Sequence, residues 1–252
     1  MIDIHSHILP GVDDGAATEE EALALAEQAV ADGITTMIAT PHFDQHYANA
    51  ASTIQGEVDR LNALLASHGI PLHIAAGQEV LITSRTGDDL YENKLLPLAG
   101  SAYALVEFSS GSVPDDWEAA FHELSVRGLT PIIAHPERNR EIAQNPEILA
   151  TLLEYGALSQ VTSHSITGGF GAKIQKLAFE LCRRRMVHFI ASDAHHVERR
   201  PCGLREAYDL LAKEQGRSFV DHLQSNAVCL LDGDAVEAGT VLPKKRKWFS
   251  FL

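Results

Sequence analysis

Met1-Ile-Asp-Ile-His5-Ser-His7 opens the chain, a short apolar strand ending in His-x-His. Side chains two apart on a strand point to one face, so this spacing offers His5 and His7 to a single cation. Imidazole donors suit zinc, iron or manganese. Six later strand-like runs end in similar residues. With strands drawn at 2–5, 34–40, 71–77, 103–107, 130–134, 158–162 and 187–191, the carboxyl ends carry, in order, His5/His7, His42, Glu79, Glu107, His135, His164 and Asp193/His195. A single such end would pass for a core or solvent-facing histidine, but seven together point to a metal site. The first loop, Gly11-Val-Asp13-Asp14-Gly15, adds carboxylates close behind the His pair. Asp-Asp-Gly is ordinary turn chemistry; in this setting Asp14 is expected as a ligand.

The strand runs alternate with helical patterns, the order in which βαβ units build a parallel sheet or barrel. In parallel barrels the carboxyl rim gathers loops from every strand, which is where active sites form. Helix signals fall between the strands. Thr18-Glu-Glu-Glu21 reads as a capping box with Gly33 as its stop, Asp115 with Glu118 begins another helix, and Asn145-Pro146 a third that ends near Gly156. The apolar stripes of these helices are read as core. One domain is expected over residues 1–243. Residues 244–252, Lys-Lys-Arg-Lys-Trp-Phe-Ser-Phe-Leu, form a basic and then aromatic tail, read as a disordered end or as a membrane-surface or partner contact.

At 252 residues, with 45% hydrophobic and 21% charged side chains, the chain can bury one sizeable core. A formal charge of −14 argues against nucleic acid as a partner, because phosphate neutralisation needs a basic surface. Cys182, Cys202 and Cys229 are too few and too scattered for a disulfide framework or a thiolate zinc site, which favours a reducing cytoplasm. No basic segment leads an apolar stretch at the N-terminus, and no run of about 18 apolar residues occurs, so neither a signal peptide nor a membrane span is expected.

Imidazole and carboxylate donors without thiolate fit Mn²⁺, Fe²⁺ or Zn²⁺ in a catalytic role, and more than four donors imply more than one ion. Neighbouring divalent ions can activate a water and clamp phosphate oxygens during in-line displacement, so phosphoester hydrolysis is the natural reaction class. Arg138, in His135-Pro-Glu-Arg138, and Arg200, seven residues after Asp193, are candidates to bind phosphoryl oxygens; the bland reading is two surface or capping arginines. A cysteine mechanism lacks its Cys-x5-Arg loop, since His188, Tyr208 and Ala235 stand six residues after the three cysteines.

At these residues the sequence resembles the PHP (polymerase and histidinol phosphatase) superfamily. More narrowly, it is similar to the bacterial manganese-dependent protein-tyrosine phosphatases of capsule and exopolysaccharide loci. The opening Met1-Ile-Asp-Ile-His-Ser-His-Ile-Leu-Pro-Gly-Val-Asp-Asp-Gly-Ala16 carries the likeness most specifically. It continues through Thr40-Pro-His42, Gly77-Gln-Glu79, Val106-Glu107-Phe108, Ala134-His-Pro-Glu-Arg138, Ser165-Ile-Thr-Gly168 and Ala191-Ser-Asp193-Ala-His195.

The resemblance implies a distorted (β/α)7 barrel with a trinuclear centre at the carboxyl rim, Mn²⁺ first and Fe or Zn as alternatives. It places ligands at His5, His7, Asp14, His42, Glu79, Glu107, His135, Asp193 and His195, with a carboxylate bridge at Glu79 or Glu107, and phosphate contacts at Arg138 and Arg200. It implies direct attack of a metal-bound hydroxide on phosphorus without a phosphoenzyme. The implied substrate is the tyrosine-phosphorylated tail of a membrane-associated bacterial kinase that controls polysaccharide export.

His164 departs from the pattern, where a small or amide residue is expected; it is read as a phosphate contact, a proton donor, or a neighbour of the site without a direct role. His46 and His196 are read as rim residues. Other readings are a histidinol-phosphate or other small-molecule phosphatase, a metal-dependent nuclease disfavoured by the charge, and a catalytically inactive kinase-binding regulator.

Overall fold

A computed structural model describes residues 1–83, 86 and 95–243. The tail at 244–252 lies outside the described residues. In chain order the elements are β1 (Ile2–Ser6), α1 (Glu19–Asp32), β2 (Thr36–Ala39), β3 (His42–Phe43), α2 (Ala51–Ser67), β4 (His73–Ala76), β5 (Glu79–Leu81) and β6 (Tyr103–Glu107). They continue with α3 (Trp117–Val126), β7 (Thr130–Ala134), α4 (Arg140–Gln144), α5 (Glu147–Glu154), β8 (Leu158–Thr162) and α6 (Ser163–Thr167). The last are α7 (Ala172–Arg183), β9 (Phe189–Ala191), α8 (Leu204–Gln215) and α9 (Arg217–Asp232).

Every strand pair is parallel, in the orders β1-β2-β4 and β3-β5-β6-β7-β8-β9. The expected strands at 34–40 and 71–77 each run on past a break, giving β2 with β3 and β4 with β5. Pro41 interrupts the first, since it has no N–H for the ladder. At the second, a side chain on Gly77 would meet Leu98 Cδ2 at 2.8 Å and Ile38 Cγ2 at 2.9 Å, so the bend needs glycine. His42 and Glu79 thus sit in short strands of their own, paired in register. Beyond β9, Asp193 N donates to His5 O (2.9 Å) and His7 N to Ala194 O (2.8 Å), which joins the last strand to the first. The result is a distorted seven-position parallel barrel with helices outside.

Its interior follows the period of two. Tyr103, Leu105 and Glu107 share one face of β6, and Leu158, Gln160 and Thr162 one face of β8. Ile4, Ile38, Leu105, Ile132, Leu158 and Phe189 form the apolar plug, with Ala227 and Leu230 of α9 packed on it. Burying each of the larger side chains contributes about 1.5–3 kcal/mol. Segment 226–238 covers the strand beginnings: Tyr103 donates from its hydroxyl to Asp234 O, and Asn226 donates to His188 O. The opposite faces of the strands pack with the helices in a larger cluster.

Helix α1 has Thr18 as N-cap and left-handed Gly33 as C-cap, although Glu21 reaches back to Ala17 N instead of to Thr18 N. Two other starts differ from expectation. Helix α3 begins at Trp117 after Asp116, and α5 begins at Glu147 after Pro146, neither with a side-chain cap bond. No described helix is long and apolar enough to cross a membrane.

Candidate metal centre

β1 presents an irregularity that the alternation rule does not anticipate. Ile4 belongs to the apolar plug, yet His5 and His7, of the other parity, face the site. The β1–β2 register shifts between Asp3 and Ser6, and such a bulge re-aims side chains within one strand. Buried Asp3 ties the region down, accepting from Ser192 N at 2.9 Å. Burial raises its pKa to about 6 despite that bond.

The nine expected ligands converge. His7, Asp14, His42 and His195 form one donor group; His5, His7 and Asp193 a second; His5, Glu79 and His135 a third; His42, Glu79 and Glu107 a fourth. Shared members make these neighbouring sites. His5 Nε2 and His7 Nε2 lie 3.2 Å apart, and Glu79 Oε2 lies 3.3 Å from each and 3.1 Å from His42 Nδ1. Asp193 Oδ1 is 3.4 Å from both Nε2 atoms, while Glu79 Oε1 accepts from His135 Nε2 at 2.8 Å. On the outer side Asp14 Oδ1 faces His195 Nε2 at 3.3 Å and His42 Nε2 at 3.5 Å.

Three histidines are held by the ring nitrogen that faces away. His7 Nδ1 donates to Asp13 Oδ2 (2.7 Å), His5 Nδ1 to Gln160 Oε1 (3.0 Å), and His195 Nδ1 to Asp193 O (2.9 Å). Each Nε2 is left with its lone pair turned inward, the tautomer a metal requires. Among the described residues, buried Glu79 Oε2 and His195 Nε2 have no hydrogen-bond partner. Orphaned acceptors aimed at common points, in a donor set of imidazole and carboxylate, fit divalent cations. His135 (φ 33°) and Asp193 (φ 52°) are also held in left-handed backbone, a conformation costing about 1–3 kcal/mol that clusters at functional positions.

The buried ionisable groups shift one another's titration. Burial would push Glu79 up, but the charge of His5 and the hydrogen bond from His135 hold it well below the usual carboxylate range. Glu107 goes the other way, raised to about 8 by burial and then by the charge on Glu79. Burial would lower His7, and Asp13 overrides it, lifting the imidazole well above its ordinary value. His195 is depressed to about 4 by burial and by the neighbouring His7.

Arg138 Nη1 donates to Asp193 Oδ2 at 2.6 Å, and Arg200 Nη2 pairs with the same oxygen. Arg200 Nε is buried without a hydrogen-bond partner among the described residues. The pair therefore stands at the edge of the donor groups with N–H groups to spare. His164 lies in α6, half-buried, outside all four groups. His46 is exposed and His196 pairs with Arg200 through backbone; neither joins a donor group among the described residues.

Three supporting residues escaped the sequence reading. Asp13 was given no role beside Asp14, the expected ligand, and only the turn shows what it holds. Gln160 could have been found as a polar residue on the inner face of β8. Glu137 lay inside a motif read for His135 and Arg138, yet its buried carboxylate accepts from Thr162 N, Thr162 Oγ and Ser165 Oγ, fixing the end of β8.

Residues 1–232 match the family model described as capsular polysaccharide synthesis, CpsB/CapC. The chain is 42% identical to tyrosine-protein phosphatase YwqE of Bacillus subtilis over the full length of both. It is 31% identical to tyrosine-protein phosphatase CpsB of Streptococcus pneumoniae, over 88% of this chain and 96% of that one. A crystal structure from a study of YwqE and CpsB as metal-dependent tyrosine phosphatases superposes with a TM-score of 0.94, at 42% identity, over 98% of this chain and 100% of that one. Histidinol phosphate phosphatase from Lactococcus lactis shares the fold at a TM-score of 0.54 and 16% identity, over 85% of this chain and 93% of that one. The chain belongs to the CpsB/CapC family of capsular polysaccharide synthesis proteins.

Proposed function

We propose that this protein is a metal-dependent protein-tyrosine phosphatase that dephosphorylates the tail of a cognate membrane-associated tyrosine kinase and so regulates capsule or exopolysaccharide synthesis. The observation that carries the reading is the set of four overlapping donor groups beside the Arg138 and Arg200 guanidinium pair. Residues 1–243 act as one catalytic unit. His5, His7, Asp14, His42, Glu79, Glu107, His135, Asp193 and His195 hold the ions, three of them in this reading and Mn²⁺ by preference. Divalent cations bound there supply activated water and neutralise phosphoryl charge.

The side chains do the remainder. Arg138 and Arg200 orient the phosphoryl group and stabilise the charge on its oxygens as the bond to the tyrosyl oxygen breaks. Asp13 and Gln160 keep His7 and His5 in the metal-binding tautomer. Glu107 must give up its proton when a cation binds, which links metal affinity to pH. No thiol takes part: Cys182 and Cys202 are buried, with burial pushing both thiols up, Cys229 lies in α9 on the covered side, and none of the three joins a donor group among the described residues. The protein works in the cytoplasm, drawn to the inner membrane face by its partner.

The test is phosphate release by Mn²⁺-loaded protein from a phosphotyrosine peptide, a phosphoserine peptide and histidinol phosphate, each with and without chelator. Chelator-sensitive release mainly from phosphotyrosine is expected. A preference for histidinol phosphate would overturn the substrate, and insensitivity to chelator would overturn the centre.

A further inference from the structure

Phe170 sits in the glycine-rich turn between α6 and α7, half-buried, and packs with neither hydrophobic cluster. Its ring neighbours are functional instead. Arg138 Cζ lies 5.1 Å from the ring centroid, and the His164 ring lies 5.4 Å away at an interplanar angle of 50°. The same guanidinium bonds Asp193, so Phe170 lies one side chain from the donor groups. The turn is fixed against His164: Gly168 N and Gly169 N both donate to His164 O, at 3.1 and 2.9 Å. A side chain on Gly169 would strike His164 Cδ2 at 2.5 Å.

An aromatic ring kept at a polar rim, outside the core, leaves apolar surface in water that folding does not require. Once Arg138 and Arg200 hold the phosphoryl oxygens, the organic part of the ester must emerge within a few ångströms of Arg138, where Phe170 and His164 stand. We propose that Phe170, with His164 beside it, receives the phenyl ring of the substrate and selects aryl over alkyl phosphate esters. The proposal rests on the phosphotyrosine reading above. Tyr47 is another aromatic at the rim, but its ring contact, at 6.0 Å, is with His42, whereas Phe170 is the ring that meets Arg138.

The experiment measures calorimetric binding of phenylphosphonate and methylphosphonate to the Mn²⁺-loaded full chain, together with kcat/KM for phosphotyrosine and phosphoserine peptides. Wild-type protein is expected to prefer the phenyl compound by about tenfold, in line with aromatic pairing energies. Phe170→Ala should bring the two phosphonates within about twofold and narrow the peptide ratio similarly, Phe170→Trp should restore both, and Tyr47→Ala should change neither. Equal weakening of both phosphonates in Phe170→Ala would reduce the residue to a support for Arg138 and overturn the proposal. So would a wild-type protein without phenyl preference, or loss of that preference in Tyr47→Ala alone. Failure of the parent reading looks different: wild-type protein would then show no chelator-sensitive hydrolysis of the phosphotyrosine peptide.

Discussion

Asp13 and Asp14 are chain neighbours, yet one carboxylate holds the back of His7 while the other faces His42 and His195. Their substitutions should therefore separate. Asp13→Asn weakens the grip on the His7 tautomer, so metal affinity should fall by about 10- to 100-fold with the fold intact, as read by metal titration against circular dichroism. The double change His5→Ala and His7→Ala should remove metal and activity together; full activity in that variant would refute the site. Arg138→Ala should keep its metal content and lose about 2–4 kcal/mol of transition-state stabilisation, seen in kcat/KM. Unchanged turnover would make the arginine structural. Residue types at strand ends were legible because two-residue alternation restricts where they can point. Roles set by a turn, as for Asp13, or by a buried amide, as for Gln160, were not, since local spacing is silent about the partner across the barrel.

The loop after β1 shows how an element constrains its residues. A side chain on Gly15 would come within 2.0 Å of His7 O, and Gly15 N donates to Asp13 Oδ1, so the loop lies directly on the strand it follows. The strands at 103–107, 130–134 and 158–162 were readable to the residue because each is a short run bounded by helical patterns, with alternate residues on one inward face. The break at Gly77 was visible as a residue but not as a bend, because its meaning depends on Leu98 and Ile38 from elsewhere in the chain. Glu137 ties the 3₁₀ turn after β7 to the end of β8, an attachment no periodicity reveals. Glu137→Ala strands Thr162 N in a buried setting and should cost about 3 kcal/mol in chemical denaturation. A change within a few tenths would mean that the loop finds other partners.

Across the whole molecule, packing gathers at the covered beginnings of the strands and the donor groups gather at their opposite ends. His188, at the covered end, accepts from Ser159 N at Nδ1 and donates from Nε2 to Ala238 O. Burial lowers its pKa from 6.5 to about 4. The unfolded chain takes up this proton near pH 6.5 while the native protein resists until about pH 4. The contribution is therefore complete above 6.5 and is lost as pH falls through that window, by up to roughly 3 kcal/mol. Urea midpoints from pH 7 to pH 4.5 should decline less steeply in His188→Gln than in wild-type protein; equal slopes would place the acid sensitivity elsewhere. The seam between β9 and β1 has a consequence for biogenesis. Asp3 and Ser192, bonded across it, are separated by 189 residues, and the donors on either side stand at the ends of β1 and β9. A nascent chain carries its opening histidines long before Asp193 and His195 leave the ribosome, so the two donor groups that include Asp193 or His195 assemble only after β9 has been made, whereas the His5, Glu79, His135 and the His42, Glu79, Glu107 groups draw on residues made earlier.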